Sequence, residues 1–159
     1  MNRRDVIRAS FAASLAGLAP LARAHHGWSG FDQDRPIYLE GQVAKVVWQN
    51  PHAELEIDLP AGFKLPANLA QRPLPAQTAP VDGKALLAKA VVPSRRDTRW
   101  EVELAPLTRL QAWNVAEIKP GATVSVVGFT FAGEKGDAVL RAEYLFVDGK
   151  AYGLRSSPA

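Results

Sequence analysis

The sequence predicts a mainly β protein, a small five-stranded OB-like Greek-key barrel with one short helix. Two observations support this class. Several runs alternate apolar and polar residues with a period of two, and the predicted elements follow the order β-β-β-α-β-β. That order is typical of the OB-fold. An open β-sandwich is the alternative, because it is built from similar short strands.

The first two predicted strands flank an Asn-Pro turn. Residues 37–49 (IYLEGQVAKVVWQ) are rich in β-branched side chains, and Gly41 suggests a bend or bulge within the run. Residues 52–59 (HAELEIDL) alternate without interruption, so His52 and Glu54 are predicted to face outward from the barrel.

Residues 60–97 differ from the rest of the chain, because they contain six prolines and little periodicity. We interpret them as a Pro-rich insertion that runs over the surface between the second and third strands, with a turn of helix within residues 82–92.

The remaining elements follow the insertion. Residues 98–104 (TRWEVEL) alternate as a third strand, and residues 106–114 have the apolar spacing of a short helix. Residues 122–131 and 138–147 predict two strands of a hairpin, because the polar loop AGEKGD joins them. DGK, residues 148–150, predicts a last turn.

The first 24 residues have the layout of an export signal. A basic head, MNRRDVIR, precedes an Ala-rich apolar stretch of 14 residues, and ARA precedes a cut after Ala24. A membrane span needs about 20 residues, so we expect no permanent membrane anchor. Arg3 and Arg4 resemble a twin-arginine motif, although a general secretory signal also begins with basic residues. We therefore predict recognition by the export machinery and a periplasmic mature protein, residues 25–159, with a single barrel domain.

Removal of this segment also removes the positive charge. The chain carries a net charge of +3, and the segment contains four arginines and one aspartate, so the mature protein is neutral. A neutral protein lacks the basic field that attracts nucleic acid, and we expect no nucleic-acid partner. The chain has no cysteine, so disulfides cannot stabilise it. The sequence identifies no protein partner.

Three pieces of the sequence together resemble a known family. They are AHHGWSGFD after the signal, LEGQVAKVVWQNPHAELEI, and RWEVEL followed by IKPGATVSVVGF and a closing DGK. They resemble a family of uncharacterised bacterial exported proteins, a domain-of-unknown-function family with a His-His mature start, a W-x-N-P-H motif and a K-P-G-x-x-V-x-V-x-G segment. The resemblance covers most of the mature chain except residues 60–97. It implies a small exported β-barrel domain and brings no established activity.

The three histidines of the chain all lie in the pieces that carry this resemblance. After cleavage, His25 offers its amine and its ring Nδ1, and His52 offers a second imidazole. Such a three-nitrogen set favours copper(II) and is similar to the histidine brace of periplasmic copper carriers and copper oxygenases. His26 is an accessory ligand. We therefore predict a periplasmic copper-binding protein.

Four further residues flank these histidines and are candidates to support the ligands. They are Glu54, Trp28, Trp48 and Asn50.

Each of these features also has a structural interpretation. Glu54 fits an acidic, solvated strand face, the tryptophans fit packing, and histidines at an exposed terminus can be incidental. The alternative function is therefore a metal-free periplasmic OB-like module that binds a protein or a small ligand. The sequence contains no P-loop, dinucleotide or G-x-S-x-G motif, so we expect a binding protein rather than an enzyme.

Overall fold

The chain forms a closed five-stranded barrel with a sixth strand outside it. The computed structural model describes residues 27–159, so the predicted export signal, its cleavage site, His25 and His26 lie outside the described residues. The strands and α-helices are, in chain order, β1 (Ile37–Val47), β2 (Glu54–Asp58), α1 (Gly83–Lys89), β3 (Arg99–Glu103), α2 (Leu107–Ala112), β4 (Thr123–Phe129), β5 (Val139–Val147) and β6 (Lys150–Gly153). Short 3-10 turns lie at Trp28–Gly30, Leu69–Gln71 and Ala132–Glu134.

The strand pairings close the barrel in the manner of an OB-fold. β1 pairs antiparallel with both β2 and β4, β2 pairs with β3, and β4 pairs with β5. A parallel pairing then joins residues 101–103 of β3 to residues 139–141 of β5 and completes the ring. The predicted five-stranded barrel is confirmed, and the alternative, an open β-sandwich, is not the observed architecture.

The alternation in the sequence determines which side chains fill the barrel. Leu55 and Ile57 of β2 and Trp100 and Val102 of β3 are fully buried in its interior. The residues between them point outward and are half-buried. The inward and outward faces that the period of two predicts for these strands are therefore the observed ones.

Gly41 permits a close approach between strands. A Cβ at this position would lie 2.3 Å from the carbonyl oxygen of Asp58, so a larger residue would push β1 and β2 apart. The irregularity in the pairing of β1 falls further along the strand, between Val43 and Lys45. The bend predicted at Gly41 is therefore displaced by a few residues.

The helices lie near the positions that the spacing predicts. α2 occupies most of residues 106–114, and α1 extends the predicted turn within residues 82–92 to seven residues. Asp82 caps α1, because its Oδ1 accepts a hydrogen bond from the N–H of Ala85 at 3.0 Å. Among residues 27–159, no helix has the length and apolar content that crossing a membrane requires.

The insertion between β2 and β3 forms a second apolar layer on the outside of the barrel. Tyr38, Val127 and Tyr144 point outward from β1, β4 and β5, and all three are buried. Leu69 and Leu87 of the insertion cover them and are themselves buried. The insertion is thus attached to the barrel by hydrophobic burial, in addition to its two covalent ends.

The C-terminal tail and the insertion also pair with each other. The N–H of Thr78 donates to the carbonyl of Ser157 at 3.0 Å, and the N–H of Ala159 donates to the carbonyl of Ala76 at 3.2 Å. β6, which leads into this tail, pairs with β5 outside the barrel. The sequence predicts only a turn at residues 148–150, so β6 is an addition to the predicted elements.

Candidate functional site

His52 lies just before β2, in the loop that joins β1 to β2. The Asn50–Pro51 peptide bond in this loop is cis, and Asn50 Oδ1 accepts a hydrogen bond from the backbone N–H of Leu107 at 3.1 Å. Ala53 exchanges two backbone hydrogen bonds with the residues that follow β3, at 2.8 and 3.1 Å. These contacts hold the loop against the end of β3 and the start of α2, so His52 has a defined position.

The imidazole of His52 contacts an arginine from the closing strand. Nη2 of Arg141 lies 3.3 Å from Nε2 of His52, and Nη1 of Arg141 donates to a carboxylate oxygen of Glu103 at 3.2 Å. Arg141 is on β5 and is only 7% exposed. Burial lowers the pKa of its guanidinium, while the charge of Glu103 opposes that shift.

Trp28 packs against the same guanidinium. The Arg141 guanidinium lies 4.8 Å from the centroid of the Trp28 ring, and the Arg155 guanidinium lies 3.7 Å from it. Phe129 contacts the ring edge-on, with centroids 6.3 Å apart. The first described residues of the chain are therefore attached to the barrel beside His52, through cation–π and aromatic contacts.

A second buried ion pair lies next to this one. Glu143 on β5 is fully buried, and its Oε2 accepts hydrogen bonds from Arg155, 2.7 Å from both Nε and Nη2. Nε2 of Gln77, from the insertion, lies 3.3 Å from Oε1 of the same carboxylate. Burial raises the pKa of Glu143, and the hydrogen bond from Arg155 opposes that rise. Arg155 thus connects a buried carboxylate to the Trp28 ring.

The outer face of β2 and β3 near His52 is acidic. Glu54 lies directly opposite Glu103, and Glu56 lies directly opposite Glu101, in the register of the two strands. Lys45 offsets part of this charge, because its Nζ lies 2.9 Å from a carboxylate oxygen of Glu56. OB-folds bind oligonucleotides through this face of the barrel, and carboxylates there repel phosphate groups.

The contact with Arg141 limits how His52 can bind a metal ion. An arginine has only N–H donors, so Nε2 of His52 is the acceptor in this contact, and a neutral ring carries its proton on Nδ1. A metal ion at Nε2 must displace the hydrogen bond from Arg141. A metal ion at Nδ1 must displace the ring proton. Within residues 27–159, no group of three or more His, Cys, Asp or Glu side chains is arranged to hold a metal ion.

The other residues predicted to support the ligands have different positions. Trp28 lies beside His52 as described, whereas Trp48 is partly buried and packs against the barrel core. Glu54 begins β2 and forms part of the acidic outer face of β2 and β3. Asn50 holds the loop through its bond to the start of α2.

Sequence reasoning did not identify Arg141, Arg155 and Glu143, which lie around His52 and Trp28. A signal for two of them exists in the sequence. Arg141 and Glu143 are the only charged residues of β5, and both are buried. A charge in such a strand predicts a buried partner, although its identity depends on contacts between distant parts of the chain.

Comparison with known proteins adds one match. A model of a family of unknown function (DUF6152) matches residues 12–63, a span that contains all three histidines. The match is consistent with the predicted resemblance to an uncharacterised family and assigns no activity. No curated protein and no solved structure matches the chain.

Proposed function

We propose that the protein is an exported copper-binding protein whose metal ligands are the amine and ring of His25 and the ring of His52. His26 is an accessory ligand. These are nitrogen donors, which suit copper(II), and affinity among divalent first-row metals is highest for copper. The amine of His25 is free only after cleavage following Ala24, so this site would form outside the cytoplasm, in the periplasm.

One observation carries the proposal: a single guanidinium, that of Arg141, contacts both the Trp28 ring and Nε2 of His52. His25 precedes Trp28 by three residues, and a chain of that length spans at most about 10 Å. Cleavage after Ala24 would therefore leave the new amino terminus within about 10 Å of Trp28, which shares the Arg141 guanidinium with His52. The family match supports the same pairing, because its span includes both histidine-bearing pieces.

The charges around His52 are compatible with a bound cation. Arg141 and Arg155 would repel copper, but each is paired with a carboxylate, Glu103 at 3.2 Å and Glu143 at 2.7 Å. The acidic face of β2 and β3 adds further negative charge nearby. The remaining cost is the displacement of the hydrogen bond between Arg141 and His52, which lowers the affinity relative to an unobstructed imidazole.

The second candidate is a metal-free OB-like binding or scaffold module. The contact between Arg141 and Nε2 of His52 also favours this candidate, because it gives the imidazole a structural partner. In that case, removing the imidazole lowers the stability of the protein and leaves its affinity for copper unchanged.

A copper(II) titration of the processed protein separates the two candidates, with its amino terminus verified by mass spectrometry. Trp28 reports binding through fluorescence quenching, and electron paramagnetic resonance reports the number of nitrogen ligands. The control variant is the same protein with its amino terminus acetylated, which removes the chelating amine and leaves every side chain in place. A second variant is His52→Ala.

Tight one-to-one binding that is lost in both variants, with a three-nitrogen spectrum, supports the copper site. Equal, weak binding by all three proteins contradicts it. If the His52→Ala protein is then also less stable to heat, the metal-free module is the better description.

A further inference from the structure

A cavity of about 330 Å³ lies on the outside of the barrel, where the insertion stops covering the sheet. Its floor is a row of directly paired residues on four adjacent strands, namely Glu40, Ser125, Phe146 and Ala151. The turn between β5 and β6 and the insertion residue Arg72 form its sides. The cavity thus lies at the edge of the insertion, and its size suits a small ligand.

Arg72 is the principal cation of this cavity. Its guanidinium lies 5.0 Å from the centroid of the Phe146 ring and 5.7 Å from that of Tyr38, and its Nη1 donates to Ser125 Oγ at 3.0 Å. Within residues 27–159, it forms no ion pair with a carboxylate. Stacking uses the faces of the guanidinium, so N–H donors on its edge are available to a ligand.

Glu40 supplies the opposite charge in the same cavity. It accepts a hydrogen bond from the hydroxyl of Tyr38 and stands on the strand next to Ser125, the partner of Arg72. Glu40 on β1 and Arg72 on the insertion therefore face one cavity without bonding to each other. The cavity wall also contains Lys150 and Asp148, so its formal charge is balanced.

We propose that this cavity binds a free α-amino acid with an apolar side chain. The α-carboxylate would bind the edge of the Arg72 guanidinium, and the α-ammonium would bind the carboxylate of Glu40. The side chain would pack against the apolar part of the wall, which includes Phe146 and Pro73. A zwitterion suits a charge-balanced wall, whereas a simple carboxylate would place its charge beside Glu40 without compensation. This site is separate from the proposed copper site.

Isothermal titration with three related compounds tests the proposal on the unmodified protein. The compounds are L-leucine, 4-methylpentanoate, which lacks the amine, and 3-methylbutylamine, which lacks the carboxylate. Leucine is expected to bind, and each analogue is expected to bind at least about tenfold more weakly, since each leaves one charged group of the cavity without its partner.

Two variants and one control assign the contacts. Arg72→Gln and Glu40→Gln are each expected to weaken leucine binding about tenfold or more. Lys84→Gln, on the exposed side of α1 and outside the cavity, is expected to have no effect. Because Arg72 also packs against the sheet, circular dichroism verifies the fold of each variant. The Glu40 variant and the compound series test the proposal independently of Arg72.

Two results would overturn the proposal. One is an absence of leucine binding to the unmodified protein at millimolar concentration. The other is binding of 4-methylpentanoate as tight as that of leucine, together with no effect of Glu40→Gln, which would mean that the ammonium is not recognised.

Discussion

Replacing Arg155 with alanine is expected to destabilise the fold by leaving a buried carboxylate without its cationic partner. Glu143 is fully buried, and Arg155 contributes two nitrogens at 2.7 Å from its Oε2. Removing one partner of a buried ion pair costs about 3–5 kcal/mol, because the other charge is left uncompensated. The Arg155 side chain is 23% exposed, so we expect the lower end of that range, about 3 kcal/mol. For a domain of this size that corresponds to a fall in Tm of about 10 °C.

The stability lost in the Arg155→Ala variant should depend on pH in a defined direction. Burial already raises the pKa of Glu143, and Arg155 opposes that rise, so the pKa rises further in the variant. A carboxyl group whose pKa is higher in the folded state binds protons more readily there, and the folded protein loses stability as pH rises through that pKa. The free energy of unfolding of the variant should therefore fall furthest below that of the unmodified protein at pH 8. This difference should shrink as pH falls towards about 4.3, the ordinary pKa of a glutamate.

Urea denaturation followed by circular dichroism measures this deficit at several pH values. The double variant Arg155→Ala with Glu143→Gln is the matched control, because it removes the buried charge as well as its partner. We expect it to recover at least half of the lost stability. A double variant as unstable as the single one, with a deficit that is independent of pH, would refute the reasoning. The loss would then come from the contacts of Arg155 with Trp28 and Gln33.

Three further predictions concern single positions. Asn50→Ala should cost about 1 kcal/mol in urea denaturation, because the N–H of Leu107 loses its acceptor, and Asn50→Asp should restore most of that loss. Gly128→Ala should cost about 3 kcal/mol, because its Cβ would lie 2.1 Å from the carbonyl oxygen of Arg141; a measured loss below 0.5 kcal/mol (roughly the effect of a neutral surface substitution) would contradict the observed strand spacing. Burial raises the pKa of Tyr38 to about 12, so its hydroxyl should ionise well after an ordinary tyrosine in an ultraviolet titration, and stability should fall as pH rises from 10 to 12. In Tyr38→Phe this late step should disappear.

The strands that enclose the barrel core were predictable from local pattern. Leu55 and Ile57 alternate with Glu54 and Glu56, and this period of two is sufficient to orient β2, because one face is apolar and the other acidic. β4 and β5 carry apolar residues on both faces, so their pattern predicts strands but does not say which face meets the barrel interior.

The second apolar layer, in contrast, was not predictable from local pattern. Tyr38, Val127 and Tyr144 point out of the barrel, and they are buried only because Leu69 and Leu87 cover them. The prolines and the weak periodicity of residues 60–97 indicate a loop, and they carry no information about which surface it covers. Contacts of this kind are determined by the whole fold rather than by the local sequence.

In the candidate site, too, some residues are identifiable from the sequence, whereas their contacts depend on the fold. His52 and Trp28 were selected from their positions in the sequence, and the structure brings Trp28 and His52 to one guanidinium. The arginine that joins them lies almost 90 residues beyond His52 in the chain, on the strand that closes the barrel. The sequence indicates a buried charge at Arg141, but only the parallel pairing of β3 with β5 determines its partners.

The closure of the barrel has a consequence for the order in which the protein can fold. The ring is completed by residues 139–141 of β5, and the insertion is secured by residues 157–159 of the tail, so both depend on the end of the chain. A ribosome-bound chain that lacks this part leaves β3 with an unpaired edge and the insertion without its contacts to residues 157–159. Such non-local pairings also slow folding. An incomplete chain should consequently be open to proteases and to chaperones that bind exposed strands, and protection should appear in one step when residues 139–159 become free to pair.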